Sequence, residues 1–125
     1  MSRKRVLICD DEPAICESVS FIVDQEGYEA VTAEDGDEGL RLIRTSAPDL
    51  VLLDVMMPGM TGFELCREIK SHEATRDIYV ILLTAAGQER DRTDGYASGA
   101  DEYMTKPFSP RMLRQRLHEL LDGSP

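Results

Sequence analysis

Short apolar runs rich in β-branched residues alternate with amphipathic stretches five times along the chain. The runs predict strands over Arg5–Cys9, Tyr28–Ala33, Leu50–Asp54, Tyr79–Leu83 and Glu102–Thr105. Val51-Leu52-Leu53 and Val80-Ile81-Leu82-Leu83 are apolar at every position. That pattern suits central strands covered on both faces, although period alone does not separate them from buried helix. Between the strands, capping residues announce helices. Asp11 or Glu12 precedes Pro13, and Ser109 precedes Pro110, each placing a proline at the first helical position. Thr61 with Glu64 has the spacing of a capping box, and Asp35 with Glu38 approximates it. Stripes at helical spacing follow: Ile15, Val19, Ile22 and Val23; then Leu65, Cys66 and Ile69; and finally Leu113, Leu117, Leu120 and Leu121. These are faces that pack on a sheet, and none is assigned a ligand role.

The fourth amphipathic stretch, Gln88 to Ser98, differs from the others. It has few large apolar residues, many charges and an interior Gly95, which costs about 1 kcal/mol relative to alanine. It is expected to be the least secure helix. Strands and helices in strict alternation with short connections imply parallel strands joined by right-handed crossovers, hence a three-layer α/β domain. At 125 residues, the span 1–125 is read as one domain.

Composition changes this picture little, but it excludes some roles. The chain is 42% hydrophobic and 30% charged, and nothing in it approaches the roughly 18 consecutive apolar residues of a membrane span. Val6-Leu7-Ile8-Cys9 is too short for a signal-peptide core, so a cytoplasmic protein with no membrane partner is expected. Cys9, Cys16 and Cys66 are an odd number without a CxxC pair and are expected to be free thiols. A net charge of −10 argues against nucleic-acid binding by this chain, which would need Lys and Arg against phosphates. The same charge is compatible with an acidic metal site or a basic partner surface.

In open α/β sheets, ligands bind beyond the carboxyl ends of the strands. Asp10, Asp11 and Glu12 follow the first strand, and Asp54 ends the third. Thr84 follows the fourth, and Thr105 and Lys106 close the fifth. Were these strands neighbours, several carboxylates, a hydroxyl and an ammonium would converge on one edge. Crowded carboxylates repel, and a hard divalent cation such as Mg2+ relieves them, using oxygen ligands and a phosphate. Lys106 would then donate to one phosphoryl oxygen and Thr84 to another. A carboxylate can act as the nucleophile, and Asp54 is the best placed because it ends the most buried strand. A turn with Pro58, Gly59 and Gly62 follows it and lets backbone groups approach.

Each residue alone has a plainer reading. Asp10-Asp11-Glu12 could be a helix start, Asp54 a turn acid, Thr84 a strand end and Lys106 a solvated lysine. Their shared position at one predicted edge is what favours a site. His72 and His118 have no ligand spacing and are read as surface residues.

With these motifs in place, the chain resembles the receiver domain of two-component response regulators over essentially its whole length. Val6 to Pro13 resembles the family's first strand and acidic pair, and Asp54 to Leu65 its phosphorylation segment. Leu83-Thr84-Ala85 and Lys106-Pro107-Phe108 resemble the two remaining signatures. The resemblance implies a CheY-like (βα)5 flavodoxin-like fold, a five-stranded parallel sheet in the order 2-1-3-4-5. It implies Asp54 as phosphoacceptor, with Asp11, Asp54 and the Met56 carbonyl as Mg2+ ligands and Asp10 supporting the metal through water. It further implies phosphoryl contacts from Thr84 and Lys106, a switch through Thr84 and Tyr103, and a cis Lys106–Pro107 bond.

A histidine kinase or histidine phosphotransfer protein would supply the phosphoryl group. The face built from 88–98, the fifth strand and the last helix would meet a downstream effector or a second copy of the chain. Met56 and Ala86 occupy positions where the family tunes phosphoryl lifetime. Neither side chain hydrogen-bonds an attacking water well, so a long-lived phosphoryl state is expected.

Two other chemistries fit less well. An aspartyl-nucleophile phosphohydrolase would carry an acid where Met56 stands, and a flavin carrier would carry a Ser/Thr/Gly-rich phosphate loop where the acids follow the first strand.

Overall fold

The structure is a computed structural model, and it describes residues 3–85 and 98–122. Five strands form one parallel sheet: β1 (Arg5–Cys9), β2 (Glu29–Ala33), β3 (Leu50–Asp54), β4 (Tyr79–Ala85) and β5 (Glu102–Lys106), in the order β2-β1-β3-β4-β5. Helices α1 (Pro13–Gln25), α2 (Gly36–Ser46) and α3 (Gly62–Ser71) and a C-terminal helix (Pro110–Leu121) complete the described elements. The expected helix at 88–98 lies outside the described residues, apart from Ser98.

The continuous apolar runs are explained by two hydrophobic cores, one on each face of the sheet. Val6, Ile8, Leu50, Leu52, Ile81 and Leu83 point to one face and pack under α1 and the C-terminal helix through Val19, Val23, Leu113 and Leu117. Leu7, Cys9, Val51, Leu53, Val80 and Leu82 point to the other and meet Ile43 of α2 and Leu65 and Ile69 of α3. Alternation along a strand splits each run between the cores. β3 is buried at all five positions, whereas the edge strand β2 is half-buried.

Most caps form as the sequence implies. Thr61 and Glu64 make a reciprocal capping box, Asp35 accepts from the Glu38 N–H, and Ser109 accepts from the Met112 N–H. The start of α1 is different. Glu12 occupies the cap position, but its side chain makes no capping bond. Instead the Asp10 carboxylate accepts from the Glu12 N–H at 2.9 Å, so the buried acid holds the turn.

Three strand limits shift from the expected ones. Tyr28 lies before β2, its ring 5% exposed in the core and its hydroxyl directed to the end of the C-terminal helix. β4 runs on to Ala85 and β5 to Lys106 because Thr84 pairs with Thr105 and Ala85 with Lys106. All three cysteines are free and buried. Among the described residues, no helix is long and apolar enough to cross a membrane.

Candidate functional site

The register of the sheet determines which side chains meet. Cys9 pairs with Leu53, so Asp10 leaves β1 beside the end of β3. Asp54 pairs with Leu83, which brings Thr84 one residue beyond it. The β4–β5 register then adds Lys106. A cavity of about 250 Å³ opens at this carboxyl edge, lined among others by Asp11, Glu12, Asp54, Met56, Thr84 and Lys106.

Lys106 is the centre of the charge arrangement. Its Nζ lies 2.8 Å from Asp10 Oδ2, 3.5 Å from Asp54 Oδ1 and 3.7 Å from Glu12 Oε1. Asp10 is fully buried, Asp54 is 7% exposed and Thr84 is 4% exposed. Asp10 is thus satisfied on both oxygens, by Lys106 and by the Glu12 N–H. Asp54 has weaker local support, a 3.4 Å contact from the Met56 N–H. The Thr84 hydroxyl sits 3.5 Å from the Ala85 carbonyl, a long contact that leaves it suited to a better acceptor.

Electrostatics follow from this crowding. Burial, and then the Asp10 charge, push the Asp54 carboxyl up to about 7, against the opposing pull of Lys106. Burial alone would lower the Lys106 ammonium, but Asp10, Asp54 and Glu12 more than offset it and hold it above its ordinary value. One ammonium is therefore shared among three acids, and negative charge remains uncompensated at the cavity mouth.

Carboxylate oxygens of Asp10, Asp11 and Glu12 lie within 4.8 Å of one another. An all-oxygen donor set with excess negative charge is the chemistry of a hard divalent cation.

Backbone geometry keeps this edge open. A Cβ on Gly62 would lie 2.3 Å from the Asp54 carbonyl oxygen and 2.8 Å from Val55 Cα, so α3 can start against the end of β3 only with glycine there. Gly59, at φ +74, turns the chain between them. Met56 keeps its side chain 65% exposed, which presents the thioether outward. The Lys106–Pro107 peptide is cis, as the resemblance implied.

Asp10, Asp11, Asp54, Thr84 and Lys106 are brought to one edge. Tyr103 lies on β5 opposite Leu82, partly buried against the core beneath α2 and α3. Glu12, read in the sequence as a possible cap of α1 and as one of the acids at this edge, reaches Lys106 from the cap position.

Residues 6–118 match the response regulator receiver domain family. The chain belongs to that family. Among curated receiver-containing relatives, the phosphate regulon transcriptional regulatory protein PhoB of Escherichia coli K12 is 43% identical over 118 residues, which is 94% of this chain and 52% of PhoB. The chain thus spans about half the length of the curated relatives it matches. Among solved receiver structures, chemotaxis protein CheY4 of Vibrio cholerae superposes with a TM-score of 0.89 at 32% identity, covering 96% of this chain and all of that one (100%). A signal receiver domain of a signal transduction histidine kinase from Syntrophus aciditrophicus gives 0.89 at 36% identity, covering 96% and 91%. Receiver domains are phosphorylation-dependent signalling modules of two-component systems rather than ordinary enzymes, and they generally bind Mg2+.

Proposed function

We propose that residues 1–125 form one receiver domain that takes a phosphoryl group onto Asp54 with Mg2+, and that signals by rearranging the face around β5. The observation that carries this reading is the placement of the Lys106 ammonium 2.8 Å from Asp10 and 3.5 Å from Asp54 at a cavity also lined by Asp11 and Thr84. Carboxylates of Asp11 and Asp54 and the Met56 carbonyl would hold the cation, with Asp10 supporting it through water. When bound, Mg2+ supplies counter-charge that keeps Asp54 ionised at neutral pH and neutralises the phosphoryl oxygens.

The chemistry asks little of the protein beyond positioning. An Asp54 oxygen attacks phosphorus, its bond to the donor nitrogen or oxygen breaks, and the donor leaves with that electron pair. Lys106 donates to one phosphoryl oxygen and Thr84 to another. In this reading Thr84 moves toward the new charge, Tyr103 follows, and the surface formed by 88–98, β5 and the C-terminal helix changes. A histidine kinase or histidine phosphotransfer protein is the donor. A downstream effector, or a second copy of this chain, reads the altered surface. The domain acts in the cytoplasm and binds no nucleic acid itself. Met56 and Ala86 offer no hydrogen bond that would position a hydrolytic water, so the phosphoryl state is long-lived.

Amide NMR spectra with Mg2+ and a non-hydrolysable phosphate mimic test the switch. Shifts are expected at Met56, Thr84 and Lys106 and across 88–106. Unchanged resonances over 88–106 would contradict it, and hydrolysis of the phosphoryl group within seconds would contradict the long lifetime.

A further inference from the structure

Helices α1 and the C-terminal helix both start at the acidic edge, so their far ends meet at the opposite edge of the sheet. There His118 lies among three partners. Its Nε2 is 2.6 Å from Glu26 Oε1, and its Nδ1 is 2.5 Å from Asp122 Oδ2 and 2.8 Å from the Tyr28 hydroxyl. The Tyr28 hydroxyl in turn donates to Asp122 Oδ1 at 2.7 Å. Tyr28 and His118 rings also pack, with centroids 5.6 Å apart.

A proton count decides the state of the ring. A phenol has one hydrogen, and Tyr28 spends it on Asp122, so toward His118 its oxygen can only accept. Nδ1 must therefore carry a hydrogen. Ionised Glu26 is an acceptor only, so Nε2 must carry one as well. The network is complete only when His118 is an imidazolium.

We propose that protonated His118 is a pH-sensitive clasp fastening the last turn of the C-terminal helix to the end of α1 and to Tyr28. Loss of either ring proton sets a nitrogen lone pair against a carboxylate oxygen at hydrogen-bond distance, and one side of the clasp opens. The charged groups facing His118 are Glu26 from α1 and Asp122 from the end of its own helix. Arg114 lies behind them, its Nε 3.5 Å from Glu26 Oε2. These four groups sum to zero with His118 charged and to −1 with it neutral, so discharge leaves a net repulsion that Arg114 alone does not cancel.

Consistent with this geometry, Glu26 and then Asp122 raise the His118 titration above its ordinary 6.5, and Tyr28 and then His118 lower that of Asp122. A raised histidine stabilises the fold fully below its ordinary value, and that contribution is lost as pH rises through the raised one. The clasp involves none of the side chains at the acidic cavity, so proton occupancy would set how firmly the final helical turn is docked whether or not that cavity is phosphorylated.

The test is a titration of the histidine ring C–H signals by NMR from about pH 5 to about pH 9. It is made on the wild type, Glu26→Gln, Asp122→Asn and His118→Gln, with His72 as the internal reference. The His118 midpoint is expected above 6.5, and each carboxylate substitution should lower it. Amide hydrogen exchange at Leu121 and Asp122 should accelerate beyond its intrinsic rise as pH crosses that midpoint, and the extra acceleration should be missing in His118→Gln. A midpoint at or below 6.5, a midpoint unmoved by both substitutions, or wild-type exchange that tracks the intrinsic rate would each overturn the proposal.

Discussion

Replacing Asp54 by Asn should stabilise the metal-free protein, by an amount that grows from about pH 4 and is complete above about pH 7. The carboxyl is pushed from 3.8 to about 7 by burial and by Asp10. At 1.36 kcal/mol per pH unit, a shift of that size is a ceiling of about 4 kcal/mol. Because the folded state holds its proton more tightly than the unfolded state, the folded protein is favoured below the ordinary carboxylate value. That advantage is lost as pH rises through about 7.

Asparagine keeps the shape and removes the charge. It also removes the 3.5 Å contact to Lys106, but Lys106 retains Asp10 at 2.8 Å, so relief of crowding prevails. With the chelator EDTA present, Asp54→Asn should be about 2–4 kcal/mol more stable than wild type near pH 8, with the gap closing near pH 4. Urea unfolding followed by far-UV circular dichroism suits a chain without tryptophan. Adding Mg2+ at about ten times its dissociation constant should stabilise the wild type by about 1.4 kcal/mol and the variant hardly at all. A gap that persists unchanged at both pH values, or a variant less stable than wild type near pH 8, would refute the reasoning.

Other consequences follow from the same geometry. Lys106→Met strands the fully buried Asp10 without its cation and should cost about 3 kcal/mol near pH 8 in the same unfolding assay. Gly62→Ala forces a methyl to within 2.3 Å of the Asp54 carbonyl and should destabilise by about 2 kcal/mol while weakening Mg2+ binding in a calorimetric titration. Leu52→Ala opens a cavity at a fully buried position of β3, so it should cost about 3 kcal/mol without changing the Mg2+ affinity of the folded fraction.

The sheet was legible because its central strands leave no ambiguity about burial. Val51-Leu52-Leu53 has no polar position to turn outward, its place between capped helical stretches favours a strand over a buried helix, and the observed register divides it between the two cores. Proline and capping residues marked the starts of α1, α3 and the C-terminal helix for equally local reasons. The convergence of Asp10, Asp54, Thr84 and Lys106 was also readable, since each follows or ends a parallel strand and the strands are neighbours in register.

Contacts between residues far apart in sequence were not readable in this way. Glu12 could be placed at the acidic edge but not as a direct partner of Lys106, and nothing near His118 indicates Glu26, separated from it by 92 positions. The cap of α1 escaped for a related reason. The acid that holds it is the buried Asp10 rather than the residue at the cap itself, a choice made by the tertiary pull of Lys106. Tyr28 read as the first residue of a strand because its type favours strands. Its hydroxyl is instead drawn to Asp122 across the domain.

Phosphorylation of Asp54 is tested most directly by the intact mass of the protein after incubation with acetyl phosphate, comparing wild type with Asp54→Asn, in Mg2+ and in EDTA. One added phosphoryl group is expected on the wild type in Mg2+, and none on Asp54→Asn or in EDTA. A wild type that gains no phosphoryl mass, or an Asp54→Asn variant that gains as much as the wild type, would contradict it.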